Sequence, residues 1–181
     1  SNKKQIDNRS AFLKSVLHQC KTVHEVKTYF EQYNHQVLIG DLFMYVDSTG
    51  AYLIVEQDTL ILGSDYKYLA SNFCPSSTPQ EEALKMLKYK RGVDFLKNKL
   101  DTSLHFCAAL SDSMSVCRPK IGDGTLLTCI RDLNDGIVYF YFYHNYDHVV
   151  KFNLKAELAK GNHSYSVPEL FPENAEYVKL V

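Results

Sequence analysis

Tryptophan is absent from the 181 residues, although thirteen tyrosines and ten phenylalanines are present. Aromatic content of that kind favours sheet-rich packing. No apolar run approaches the roughly 18 residues that a transmembrane helix needs. Charge of either sign is not in excess: the formal net charge is −1. That removes the electrostatic case for nucleic acid or an anionic membrane surface as a partner. The opening SNKKQIDNRS is polar and cannot be a signal peptide. No targeting segment is legible, so the compartment stays open; a soluble, cytoplasmic chain fits. Five cysteines (Cys20, Cys74, Cys107, Cys117, Cys129) are scattered without a CxxC pair. An odd, dispersed set reads as free thiols rather than a disulfide framework, and no two have zinc-ligand spacing. No cofactor is implied.

What is present is ordinary for a globular protein: 45% hydrophobic and 23% charged residues. The length suits one domain over residues 1–181, with 1–9 as a disordered or extraneous start. Phe12, Leu13, Val16 and Leu17 fall at the helical period. TVHE, Thr22 to Glu25, has the capping-box pattern and opens a second helix with Val23, Val26, Tyr29 and Phe30 as its stripe. From Leu42 the period changes. LFMYV and AYLIVE are strand-like runs joined by DSTG, TLILG is a third, and YKYLAS a fourth, which predicts a four-stranded meander. STPQEEALKML opens a long helix with Pro79 at its first position, continuing through KYKRGVDFLKNKL. Its buried candidates are Leu84, Leu87, Val93 and Leu96. A shorter helix, TSLHFCAALSDS, follows. GTLLTCIRDL and IVYFYFYH form a hairpin around NDG, HVVKFNL adds a strand, and KAELAKG a short helix.

Several clusters could carry chemistry. His144, Asp147 and His148 in HNYDH have no second ligand group, so a strand-to-loop edge is the simpler reading. His105 and Cys107, two apart in a helix, do not face each other. GDGT, Gly122 to Thr125, precedes a strand rather than a helix and reads as a turn. Lys88 and Arg91 are three apart on one helix face and can converge on one anion. The sharpest feature is YKYLASNF, where an apolar run stops at Ser71-Asn72. A strand end that opens into a loop is a place from which a catalytic group can be aimed.

The order of these segments resembles the C-terminal half of the linear amide C–N hydrolases. These are the choloylglycine hydrolase, penicillin V acylase and acyl-CoA:aminopenicillanate acyltransferase group of N-terminal-nucleophile hydrolases. CKTVHEV is similar to that family's CKTVEEA-type segment, and YVDSTGAYLIVE to its ADASGDAVVVE-type hairpin. LASNF resembles its LxTN strand end, and GTLLTCIRDLNDGIVYFY its closing TxxSxVYDxxxxxxY hairpin. The resemblance runs from about Phe12 to Leu158. It implies an α+β chain forming part of a four-layer αββα sandwich, with antiparallel sheets covered by helices.

The resemblance also implies roles. Asn72 matches the family's asparagine that holds the oxyanion during acyl transfer. Lys88 stands at the first basic position of the following helix and Arg91 at the second. The family has arginine at the first, so Lys88 offers a point charge in place of a planar fork. The family's nucleophile is a mature N-terminal cysteine whose own amine is the base. Cys20 is expected inside a helix and cannot play that part. The chain is therefore expected to be the C-terminal portion of a Cys-dependent linear amide hydrolase or acyltransferase, acting on carbon–nitrogen bonds other than peptide bonds. Alone it is expected to be inactive. The intact enzyme would take a small N-acyl amide, and this portion would self-associate or pair with its missing N-terminal half. A non-catalytic binding or structural domain on the same scaffold is the alternative, and an unrelated α+β domain the third reading.

Overall fold

A computed structural model describes residues 3–178 other than positions 58, 98, 100 and 119–122. It is a mixed α/β structure with two three-stranded antiparallel sheets. The chain divides into two compact units, residues 1–83 and 84–181.

In the first unit, residues 3–8 lead into the first helix and are joined to the chain near Gln32–Asn34. The Lys4 N–H donates to the Gln32 carbonyl at 2.9 Å, the Lys4 carbonyl accepts from Asn34 N–H at 2.8 Å, and Ile6 is buried. Asn8 then caps α1 (Arg9–Gln19), its side chain accepting from the Ala11 N–H. Phe12 and Val16 are buried, but Leu17 is 73% exposed, against expectation. At about 100° per residue, Leu17 lies some 140° around the helix from Phe12, outside the stripe that Phe12 and Val16 define. Cys20 ends α1 in extended conformation rather than lying within a helix. In α2 (Val23–Glu31), Thr22 accepts from the Glu25 N–H while Glu25 reaches back to the Thr22 N–H, the expected capping box. Val23, Val26 and Phe30 join Phe12 and Val16 in one core, together with Leu53 and Val55 of the sheet.

That sheet has the order β1 (Leu42–Val46), β2 (Tyr52–Glu56), β3 (Thr59–Gly63). The β1–β2 turn is closed by Asp47, which accepts from the Thr49 N–H, and by Gly50 at φ 84°. All five residues of β2 are buried, which is expected only of a strand covered on both faces. Just before the sheet, buried His35 sets Nδ1 2.8 Å from the Gln57 carbonyl and Nε2 2.7 Å from the Phe30 carbonyl. It ties the end of α2 to the β2–β3 turn. The expected fourth strand does not form: residues 64–70 are irregular, and Tyr66 is 72% exposed.

The long helix expected from Thr78 is also broken. The short α3 (Gln80–Ala83) and α4 (Leu87–Leu96) are separated at Leu84–Met86, with Met86 extended. Ala83 is fully buried, as are most of Tyr89 and Gly92. On one continuous helix Ala83 and Tyr89 would lie about 120° apart, so the break lets both be buried. Packing outweighs helix propensity here. Leu84, Val93 and Leu96 are half-buried and Leu87 is exposed, so none of the four expected core positions is fully inside.

In the second unit, α5 (Leu104–Met114) starts at Ser103, whose hydroxyl accepts from the Phe106 N–H. Phe106 meets Phe95 of α4 at 5.2 Å between ring centroids. A two-residue ladder, β4 (Cys117–Arg118) with β5 (Asp123–Gly124), precedes the second sheet: β6 (Leu127–Asp132), β7 (Ile137–Phe142), β8 (Asn145–Asn153). The β6–β7 hairpin turns where NDG predicts. Asp132 accepts from the N–H groups of Asn134 and Asp135, and Gly136 has φ 63°. Along β7 the aromatics alternate between faces. α5 packs against β6, and Leu104 and Cys107 share a cavity with Ile130 and Tyr139 on the tyrosine face. On the other face Phe142 stacks on Phe171 and meets Tyr177 edge-on. Tyr143 leaves the strand pattern. With His144 it forms a two-residue turn in which both have positive φ, 42° and 60°. NYDH consequently lies inside β8 rather than in a loop. α6 (Leu154–Ala159) is capped by Asn153, and the short α7 (Ala175–Val178) ends the described chain. Among the described residues no helix is long and apolar enough to cross a membrane.

Candidate functional site

Asn72 does not end a strand. The Phe73 N–H donates to the Ser71 carbonyl at 2.8 Å, which makes Asn72 the central residue of a three-residue γ-turn. An apex residue projects outward, and Asn72 is exposed. Beside it, the Ser71 hydroxyl is buried without a hydrogen-bond partner. The loop tightens again at Cys74, whose carbonyl accepts from Ser77 and Thr78 N–H at 3.1 and 2.9 Å.

Two residues of β2 bind this loop. Glu56, 2% exposed, accepts the Ser76 N–H at 3.1 Å on Oε1 and the Ser76 hydroxyl on Oε2. Tyr52, 4% exposed, donates its hydroxyl to Asp65 and packs its ring 4.4 Å from that of Tyr68. Burial, with the Asp65 carboxylate next, drives the Tyr52 hydroxyl well above the usual tyrosine range. It stays a neutral donor.

Lys88 and Arg91 both lie on α4, in the second unit, whereas Asn72 lies in the first. Lys88 is half-buried and Arg91 exposed. Lys90, between them, pairs with Asp94 one turn on.

A nucleophilic thiol must be available as thiolate. Burial instead raises the pKa of Cys20, Cys107 and Cys129, with Glu25 adding to the effect at Cys20 and Asp101 at Cys107. Cys74 is the exposed one of the four described free cysteines. The other clusters separate. Asp147 and His148 are successive exposed residues of β8, on opposite faces, and His144 belongs to the preceding turn. Among the described residues no three His, Cys, Asp or Glu side chains group as metal ligands. Of GDGT, Gly122 lies outside the described residues.

Two features had no counterpart in the sequence reading. One is the Glu56–Ser76 and Tyr52–Asp65 pair of anchors. Its signal was a carboxylate closing the apolar run YLIVE. The other is a cavity of about 390 Å³ in the second unit, lined by Val138, Phe140, Phe152 and Phe171 among others. At its rim Glu157 accepts from Lys160 and Tyr165, each at 2.7 Å, and from His163 at 2.9 Å. These donors, Lys160 foremost, hold the Glu157 carboxyl at about 2.

Compared with known protein families, curated proteins and solved structures, the chain matches none.

Proposed function

We propose that this chain is the C-terminal, oxyanion-binding portion of a cysteine-dependent linear amide hydrolase or acyltransferase of the choloylglycine hydrolase type. The observation that carries the reading is the exposed Asn72 amide, set at the apex of a loop bonded to buried residues of a sheet. In such a reaction a thiolate attacks the carbonyl carbon of an N-acyl amide, and negative charge develops on its oxygen. The Asn72 N–H donates to that oxygen. One such donor is worth about 2.7–4 kcal/mol in the transition state. The amine then leaves with a proton, and water or a second amine takes the acyl group from the thioester. The three thiols whose pKa burial raises are poorly suited to the attack, and the resemblance assigns it to a mature N-terminal cysteine with its own amine as base. Lys88 and Arg91 supply positive charge for an anionic substrate group, and the αββα sandwich stays what the resemblance implies for the intact enzyme. This portion pairs with the segment bearing the nucleophile or, without it, with itself.

The test compares this chain with the full product of its natural gene on N-acyl amides, including penicillin V and conjugated bile acids. The chain alone is expected to be silent. The full product is expected to turn over, to stop after thiol alkylation, and to lose about 10²–10³ in kcat on Asn72→Ala. Turnover by the chain alone that alkylation abolishes would make one of its own cysteines the nucleophile. An unaffected Asn72→Ala variant removes the oxyanion role.

A second reading, a non-catalytic binding domain, is favoured by the aromatic cavity of the second unit, whose size and lining suit a small apolar ligand. An inactive full product in which an apolar dye binds the chain, and is lost on Val138→Phe, would select it.

A further inference from the structure

We propose that Tyr52 and Glu56, the first and last residues of β2, are positioning residues that clamp the Asn72 loop at two points. The catalytic consequence rests on the acyl-transfer reading above; the clamp itself does not.

Alternation along β2 sends Leu53 and Val55 into the helical core and Tyr52, Ile54 and Glu56 to the opposite face. Both polar ends of that second face are used on the loop. Tyr52 holds Asp65, before Asn72, and Glu56 holds Ser76, after it. A buried carboxylate is tolerated only when its oxygens are occupied. Here a single loop residue occupies both: the Ser76 N–H reaches Oε1 and the Ser76 hydroxyl Oε2. If the loop swings away, Glu56 is left buried and unsatisfied, so the loop is held in one place.

The Tyr52 end is built with equal specificity. Its cross-strand partner is Gly63, and the phenol ring runs directly over that glycine. A Cβ at position 63 would fall 2.3 Å from Tyr52 Cζ and 2.4 Å from its hydroxyl oxygen. Glycine is thus the residue that leaves the hydroxyl its path to Asp65. Between the two anchors, the γ-turn at Ser71–Phe73 and the turn at Cys74–Thr78 shorten the free chain. A donor that must meet charge as it develops gains from being held before the reaction begins. The clamp gives Asn72 that fixed frame.

The test reads the loop by NMR in the chain itself. The Asn72 side-chain amide signal and the backbone amide exchange of residues 71–77 other than Pro75 are followed in Ser76→Ala, Ser76→Thr and Gly63→Ala. Ser76 is exposed, so its truncation opens no cavity in the apolar core. Ser76→Ala is expected to shift the Asn72 signal and speed loop exchange about ten-fold, while the β1–β2 ladder keeps its rates. Ser76→Thr, which keeps the hydroxyl, is expected to restore both. Gly63→Ala is expected to loosen the same amides from the other end. Unchanged Asn72 signals and loop exchange in Ser76→Ala and Gly63→Ala overturn the clamp. So does acceleration of loop and ladder together, which marks general destabilisation. In the full gene product Ser76→Ala is then expected to lower kcat with KM little changed. If the NMR responds while kcat does not, the clamp stands and the oxyanion role of Asn72 falls.

Discussion

The two sheets have the same strand count, strand order and antiparallel pairing, yet they close their second faces by different physics. In the first, β2 is buried along its whole length, and two directional bonds, Tyr52 to Asp65 and Glu56 to Ser76, join the Tyr52–Tyr68 ring contact on that face. In the second, the phenylalanine face of β7 meets Phe171 and Tyr177 through ring contacts, with Asn174 donating to the Tyr143 carbonyl just beyond the strand, and a cavity of about 390 Å³ remains. Directional bonds fix one geometry, because each has a narrow range of distance and angle. Ring contacts tolerate several arrangements at similar energy, so they cover a surface without dictating where a loop must sit. The sheet that carries the candidate catalytic loop is the one closed by directional bonds.

The largest expected effect tests the density of the first core. Phe30 is fully buried, and Phe30→Ala is expected to cost about 3–5 kcal/mol in chemical denaturation. A loss below 1 kcal/mol would mean that this core is as loose as the second. A matched pair sharpens the contrast. Val55, 1% exposed, lies within the helix-packed core, so Val55→Ile is expected to destabilise by about 1–3 kcal/mol through overpacking. Val138 borders the cavity, and Val138→Ile is expected to be neutral or mildly stabilising. Equal costs at the two sites would erase the distinction.

At the local level, Thr22→Ala removes the capping box of α2 and is expected to cost about 1 kcal/mol. The smallest effect is electrostatic and belongs to the second unit. The carboxyl of Glu157 is held at about 2 by Lys160, Tyr165 and His163, below its ordinary value of 4.5. A depressed carboxylate contributes stability above its unfolded value and loses it as pH falls through the folded one. Stability against heat should therefore fall between about pH 4.5 and 2, and Glu157→Gln should flatten that part of the curve. An unchanged slope in the variant assigns the acid sensitivity to other groups.

The features legible in the sequence are those that neighbours in the chain determine. TVHE announces its capping box, and DSTG and NDG announce their turns, because each rests on contacts a few residues apart. The misreadings involve distant partners. YKYLA alternates like a strand, but side chains of β2 hold the ends of its segment and no ladder forms. The helix from Pro79 has no breaker at Leu84–Met86, so its interruption between buried Ala83 and Tyr89 is not announced by local residue type. For the candidate site, the presence of Asn72 on a loop and of Lys88 and Arg91 on one helix could be read from the chain. The two anchors could not, since each joins residues far apart in the chain: Tyr52 with Asp65, and Glu56 with Ser76 twenty positions on.

The Tyr143–His144 turn has a consequence for the order in which the second sheet assembles. Two-residue hairpin turns with positive φ at both positions suit Asn-Gly, and here neither residue is glycine. Left-handed conformation costs a non-glycine residue roughly 1–2 kcal/mol, so this turn is a poor nucleus. The β6–β7 turn, with Gly136 in the left-handed position, starts from no such deficit. Zippering should therefore begin at β6–β7, with β8 docking only after Tyr143 finds its buried site. His144→Gly lowers the barrier to that second step, and the refolding arm of a chevron plot should rise while the unfolding arm barely moves.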